Sequence, residues 1–156
     1  AAMTGYDADT KGGKFLTDTD RLFFLMEEVT RRLRRTADSS VEQFGLTRTQ
    51  WSILAYLSGP GMTQTELARE LKLERASIGQ TIDRLEELEL VERRRREERQ
   101  ARLAGSLRPA AIELLPKMRV EADAMYARLL VGIRLGDLER FRDSLARIHD
   151  NLGSVP

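Results

Sequence analysis

Residues 63 to 102 constrain this chain more than any other stretch. Thr63 followed by Glu66 has the spacing of a capping box, in which two side chains satisfy each other's free backbone N–H groups. A helix therefore opens there, with Leu67 and Leu71 one turn apart on one face. Leu73 closes a tight turn. A second helix is expected over 74–88, because Ile78, Ile82, Leu85 and Leu88 recur at the period of an amphipathic helix. Its other face carries Arg75, Ser77, Gln80, Thr81 and Arg84, which are short or hydrogen-bonding side chains. Such a helix packs its back on a small core and leaves a front suited to a DNA major groove. The same periodicity also describes an ordinary helical hairpin with a solvated polar face, so at this point both readings stand.

The next segment narrows the choice. Residues 92 to 102 hold six arginines against three glutamates, in a chain of 156 residues whose net charge is only +1. Whole-molecule charge points to no partner, so any polyanion surface must come from this kind of local segregation. Leu103, Gly105 and Leu107 then alternate with Ala104 and Ser106, the period of a strand. A two-stranded hairpin with a basic tip is expected, and an Arg/Glu-rich helix is the competing reading.

Composition removes several classes of chemistry. The absence of cysteine excludes disulfides, zinc–thiolate sites and thiol redox sensing. The one histidine, His149, argues against a histidine-based catalytic or metal cluster, and its simplest role is as a favourable group at a helix C-terminus. No nucleophile–base pair and no glycine-rich phosphate loop is visible. We expect no enzyme, no metal and no cofactor. No apolar run approaches the ~20 residues of a membrane helix, and the opening residues lack a signal core. A cytoplasmic protein without a membrane partner is expected.

The flanks read as helices. Residues 1–16, rich in Gly, Lys and Asp, are expected to be mobile. Thr17 to Asp20 resembles a helix cap, and Leu22, Leu25, Met26, Val29 and Leu33 carry the helix to about Phe44, where Gly45 ends it. Arg31, Arg32, Arg34 and Arg35 form a basic cluster on it, either a solvated face or a second phosphate contact. Thr47 and Gln50 form another capping box ahead of Trp51, Leu54, Ala55 and Leu57, and Ser58-Gly-Pro-Gly61 stops that helix. After the hairpin, Pro109 suits a first helical turn, while Pro116 lies inside the pattern and should kink it or limit its first hydrogen bonds. Gly132 and Gly136 interrupt, and Asp137 is expected to cap a last helix with Leu138, Phe141, Leu145, Ile148 and Leu152 on one side. These flanking helices have more apolar surface than so small a middle can cover, which predicts that two chains pack together. The expected fold is mainly α with a small β-hairpin wing: a winged helix-turn-helix over 47–107, within one domain over 17–152, with dimerisation helices over 17–44 and 109–152.

The run from Leu46 to Leu57, Thr63 to Leu71, Ile82-Asp-Arg-Leu-Glu86 and Leu90-Val-Glu-Arg93 together resemble the multiple antibiotic resistance regulator (MarR) family of bacterial transcription regulators. The resemblance covers about residues 20 to 150. It implies a homodimer that binds pseudo-palindromic double-stranded DNA, with recognition helix 74–88 in a major groove and basic wing 92–102 at the minor groove. Many members are repressors released by a small molecule, often an aromatic acid or related anion. Carried onto this chain, Arg75, Ser77 and Gln80 contact base edges, with Gln80 able to pair bidentately with adenine. Thr63, Gln64, Thr65 and Arg84 contact phosphates. Arg95, Arg96, Arg99 and Arg102 are the wing arginines, with Arg99 and Arg102 both candidates for the minor groove. An effector pocket draws on Phe23, Phe24, Met26, Trp51, Met62, Met125 and Tyr126, with Arg93 as an anion partner. The chain departs from the family pattern at Ala76, Gly79 and Gln80, where hydroxyls and an arginine are common, and at Glu89, where a glycine is usual. Those departures support an alternative: a helical dimer that serves as a protein-interaction module without sequence-specific DNA binding.

Overall fold

Three reciprocal caps set where the first helices begin in the computed structural model, which describes residues 16–93 and 104–153. Thr17 and Asp20 open α1 (Asp18–Glu42), Thr47 and Gln50 open α2 (Arg48–Leu57), and Thr63 and Glu66 open α3 (Gln64–Leu71). In each, the threonine hydroxyl accepts the N–H three residues on, and that residue's side chain accepts the threonine N–H. The recognition-type helix α4 (Arg75–Glu87) comes next, then β1 (Val91–Glu92), β2 (Ser106–Leu107), α5 (Pro109–Leu129) and α6 (Leu135–Leu152). This is the expected mainly α fold with a β-hairpin wing. The reading of residues 1–16 as mobile falls, but for Leu16, outside the described residues, and so does the wing tip, 94–103.

Helices α3 and α4 stop on left-handed residues that are not glycine. Lys72 ends α3 with φ of 53° and Glu89 succeeds α4 with φ of 57°. Behind Glu89, the Leu90 N–H reaches back to the Leu85 carbonyl at 3.0 Å and the Glu89 N–H to Glu86 at 2.9 Å, closing off the helix. Left-handed backbone is costly for a residue with a Cβ. Glu89→Gly is therefore expected to raise unfolding free energy by roughly 0.5–1 kcal/mol, net of glycine's greater chain entropy. Chemical denaturation measures it; a drop in stability would show that the Glu89–Arg108 ion pair, at 3.6 Å, matters more than the backbone strain.

The hairpin is antiparallel, with Val91 opposite Leu107 and Glu92 opposite Ser106. The Ala104 N–H also donates to the Met62 carbonyl at 2.7 Å, tying the returning strand to the entry of α3. Gly105 permits this close approach. A Cβ there would lie 2.5 Å from Val91 Cγ1 and 3.2 Å from the Glu92 carbonyl oxygen, and Val91 is itself fully buried. Gly105→Ala should cost about 1–3 kcal/mol, the usual penalty of overpacking, and splay the wing from α4. An unchanged melting curve would contradict this.

Ile53 and Leu54 of α2, Leu67 of α3, Ile78, Ile82 and Leu85 of α4, and Val91 of β1 share one core with Met118 of α5. Val41 brings the end of α1 onto it, and an Arg48–Asp38 ion pair at 3.0 Å joins the two helices outside. The chain divides into two compact units, one ending at Met118 and one beginning at Arg119. α5 runs as one helix across Pro116, whose missing N–H falls on an exposed turn. One expectation needs adjustment. α6 begins before Asp137, not at it: Arg134 is the N-cap and Asp137, in the first turn, accepts from Arg134 Nε at 3.3 Å. Gly136 reads as a breaker in sequence, but it falls in the first turn, where its cost is small. Among the described residues no helix is long and apolar enough to cross a membrane, and no group of His, Asp and Glu is placed to hold a metal.

Candidate nucleic-acid interface

Burial along α4 divides it cleanly into a back and a front. Ile78, Ile82 and Leu85 are fully buried. At 100° per residue the opposite meridian carries Ala76, Gln80 and Glu87, all exposed, flanked by exposed Ser77, Asp83 and Arg84. Ser77 is braced by the Thr81 hydroxyl, which donates to its carbonyl at 2.8 Å. Arg75 opens the helix and is exposed. Arg84 is engaged by Glu87 at 2.7 Å, a pairing between two exposed groups that solvent largely screens.

The start of α3 lies beside this helix. A Cβ placed on Gly79 would sit 3.6 Å from Gln64 Oε1, ordinary contact distance, so Gly79 marks where Gln64 meets α4 but is not demanded by packing. Thr65 is exposed and Gln64 half-buried. The Thr63 hydroxyl is committed to the cap: it donates to Glu66 Oε2 at 2.9 Å and accepts the Glu66 N–H at 3.2 Å. The Thr63 backbone N–H first, and then its hydroxyl, hold the Glu66 carboxyl below the usual carboxylate range. A carboxyl depressed in the folded state stabilises above its unfolded pKa and loses that contribution as pH falls through the folded value. The anchoring of α3 is therefore expected to weaken only in acid.

Arg93 is the centre of a clamp. Its guanidinium pairs with Asp83, donates to the Gly79 carbonyl at 3.2 Å and lies 3.9 Å from Glu86, while its own N–H donates to Glu86 Oε1 at 3.3 Å. The base of the wing is thereby fastened to the flank of α4. The clamp also offsets charge: from Glu74 to Glu89 the chain carries five carboxylates against two arginines. Left bare, that surface would repel a polyanion. Asp83, Glu86 and Gly105 stand in the sequence patterns, but spacing alone does not show their part in fastening the wing.

The structure places the other expected site residues unevenly. Arg95, Arg96, Arg99 and Arg102 lie outside the described residues. Phe23 and Phe24 are exposed, while Met26, Trp51 and Met62 are half-buried. Among the described residues the buried Trp51 indole N–H has no hydrogen-bond partner. In the second unit Met125 is buried, and Tyr126 is exposed beneath the Arg119 guanidinium, 5.7 Å from its ring centroid.

Comparison with known proteins agrees with this geometry. A model of the MarR family matches residues 44–103. An uncharacterized HTH-type transcriptional regulator of Bacillus subtilis, YwoH, is 32% identical over 121 residues, 77% of this chain and 88% of YwoH. The transcriptional activatory protein BadR of Rhodopseudomonas palustris is 30% identical over 142 residues, 85% of this chain and 79% of BadR. Among solved structures, the S. aureus MepR–DNA complex superposes with a TM-score of 0.72 at 22% identity, covering 88% of this chain and 98% of that one. A Mycobacterium tuberculosis MarR family protein, Rv2887, in complex with salicylic acid, superposes with a TM-score of 0.61 at 23% identity, covering 81% and 95%. At those identities the two structures speak to the fold alone. A buried-backed helix, a clamped basic wing and relatives aligned along most of their length lead to one conclusion: this chain belongs to the MarR family of transcriptional regulators.

Proposed function

We propose that the chain is a homodimeric repressor that binds a pseudo-palindromic duplex and is released by a small aromatic acid or related anion. The observation that carries the DNA-binding part is the front of α4. It presents Ala76, Ser77 and Gln80 to solvent on a helix locked from behind by Ile78, Ile82 and Leu85 and succeeded by a segment of six arginines. Arg75, Ser77 and Gln80 serve base edges, Gln64, Thr65 and Arg84 serve phosphates, and Arg95, Arg96, Arg99 and Arg102 serve the minor groove. Thr63 contributes by capping the helix end that faces the phosphate. MepR, of the same fold, has been captured with DNA.

Dimerisation is supported by apolar side chains left bare on one chain. Leu22, Val29 and Leu33 form an exposed stripe on α1, and Phe141, Leu145 and Leu152 form another on α6. Contiguous exposed apolar stripes mark interaction sites. The working division is a winged helix over 47–107 and dimerisation helices over 17–44 and 109–152, acting together as one domain over 17–152 in the cytoplasm.

For the effector, the buried Trp51 indole N–H, with no partner among the described residues, offers a donor of the kind a carboxylate accepts. Phe23, Phe24, Met26, Met62, Met125 and Tyr126 are the apolar candidates that the family resemblance supplies. Arg93 is already engaged by α4, so an anion that recruits it must compete with Asp83. Salicylic acid bound to Rv2887 is of the proposed chemical class. An effector acts only through preferring the DNA-incompatible conformation, and ~1.4 kcal/mol of preference lowers DNA affinity tenfold. The test is a gel shift on the chain's own upstream DNA with a panel of aromatic acids, phenols and acyl-thioesters. A shift that no compound reverses removes the effector part and leaves DNA binding standing. Equal weak binding to every duplex favours instead a protein-interaction dimer, the reading that the carboxylates at the end of α4 support.

A further inference from the structure

The front of α4 is chemically lopsided, and this limits which bases it can read. Its C-terminal half presents Asp83 and Glu87, with Glu86 on the flank, and its one arginine there is engaged by Glu87. Carboxylates next to a phosphate backbone are repelled, so the N-terminal half is the part that enters the groove, as is usual for recognition helices. On the meridian opposite the buried row that half offers two side chains, Ala76 and Gln80, one turn apart. Neither is the arginine or lysine that pairs bidentately with guanine. Arg75 stands on the flank of the helix, toward the buried row, so the base edge it serves lies outside this core. A carboxamide matches adenine N6 and N7, and a bare methyl matches the thymine 5-methyl group. Four residues advance a helix by ~6 Å, close to two base-pair steps of ~3.4 Å.

Resting on the DNA-binding reading above, we infer that Ala76 and Gln80 make the core of each half-site A·T: Gln80 pairs with an adenine and Ala76 packs on a thymine methyl within two base pairs of it. The departure of this helix from the hydroxyl-and-arginine pattern is then a change of base preference, not a loss of reading.

Selection from a randomised duplex library with the purified full chain tests it. Half-sites enriched by the wild type should share an adenine with a thymine within two steps. Gln80→Ala should lose roughly tenfold of the discrimination at the adenine. Replacing the shared thymine by deoxyuridine, which deletes only the methyl, should weaken wild-type binding by about fourfold, the worth of one buried methyl. Ala76→Gly should be indifferent to the same replacement. Each comparison is a ratio between two duplexes for one protein, so any folding loss cancels. Enriched half-sites with G·C at the core, or a wild type indifferent to deoxyuridine, overturn the inference while DNA binding stands. A library that yields no enrichment overturns the DNA-binding reading and this inference with it.

Discussion

Arg93→Ala is expected to weaken duplex binding by roughly tenfold or more, and to do so although Arg93 need not touch DNA. Two losses coincide. The wing base is released from α4, because the hydrogen bond to the Gly79 carbonyl and the pairing with Asp83 vanish together. Asp83 and Glu86 are then left uncompensated, two of the five carboxylates from Glu74 to Glu89. The stability cost should be smaller, about 1–2 kcal/mol, since the ion pairs are part-exposed and only the hydrogen bond to the carbonyl is near full strength. The two contributions separate in a double mutant. Asp83→Asn in the Arg93→Ala background should restore part of the affinity by removing a repulsive charge, while leaving the wing loose. Non-additivity of that sign, read by anisotropy titration, is the signature of the clamp. Strict additivity would mean that Arg93 and Asp83 act separately.

Val29→Asp combined with Leu33→Asp is expected to abolish tight binding, by about a hundredfold or more, the avidity gained when two half-sites are engaged together. Both side chains are about half exposed on α1 in a single chain, so the change leaves the core of the winged helix untouched. Helicity should survive if the first unit folds alone; it should fall if the chain is an obligate dimer whose protomer is unstable. Sedimentation of the double variant as a dimer would contradict the assignment of this stripe.

Local features were legible in the residues alone. The Thr17, Thr47 and Thr63 caps are i, i+3 pairs, and each stands where spacing placed it. Ile78, Ile82 and Leu85 are period-three-and-four residues, and all are fully buried. α6 starts at Leu135, ahead of Asp137; spacing alone does not place it there, because a glycine weighs the same in a pattern whether it lies inside a helix or in its first turn. The wing clamp was out of reach for a different reason. Arg93 meets Asp83, Glu86 and Gly79 across a reversal of the chain, and nothing in their spacing distinguishes them from a solvated charged face. Gly105 likewise reveals itself only through Val91 on the opposite strand. A plain helical hairpin and a DNA-reading one share the periodicity of residues 63–88. They differ in the basic hairpin on the C-terminal side, and the family resemblance supplied the choice that periodicity left open.

The most direct test of sequence-specific binding by a dimer is a titration of the chain against its own upstream duplex and a scrambled duplex of the same composition, at one fixed salt concentration. Two chains should bind each native duplex, with an affinity about a thousandfold or more above that for the scrambled one, as for specific regulators generally. Equal affinity for the two duplexes, or saturation at one chain per duplex, would contradict it.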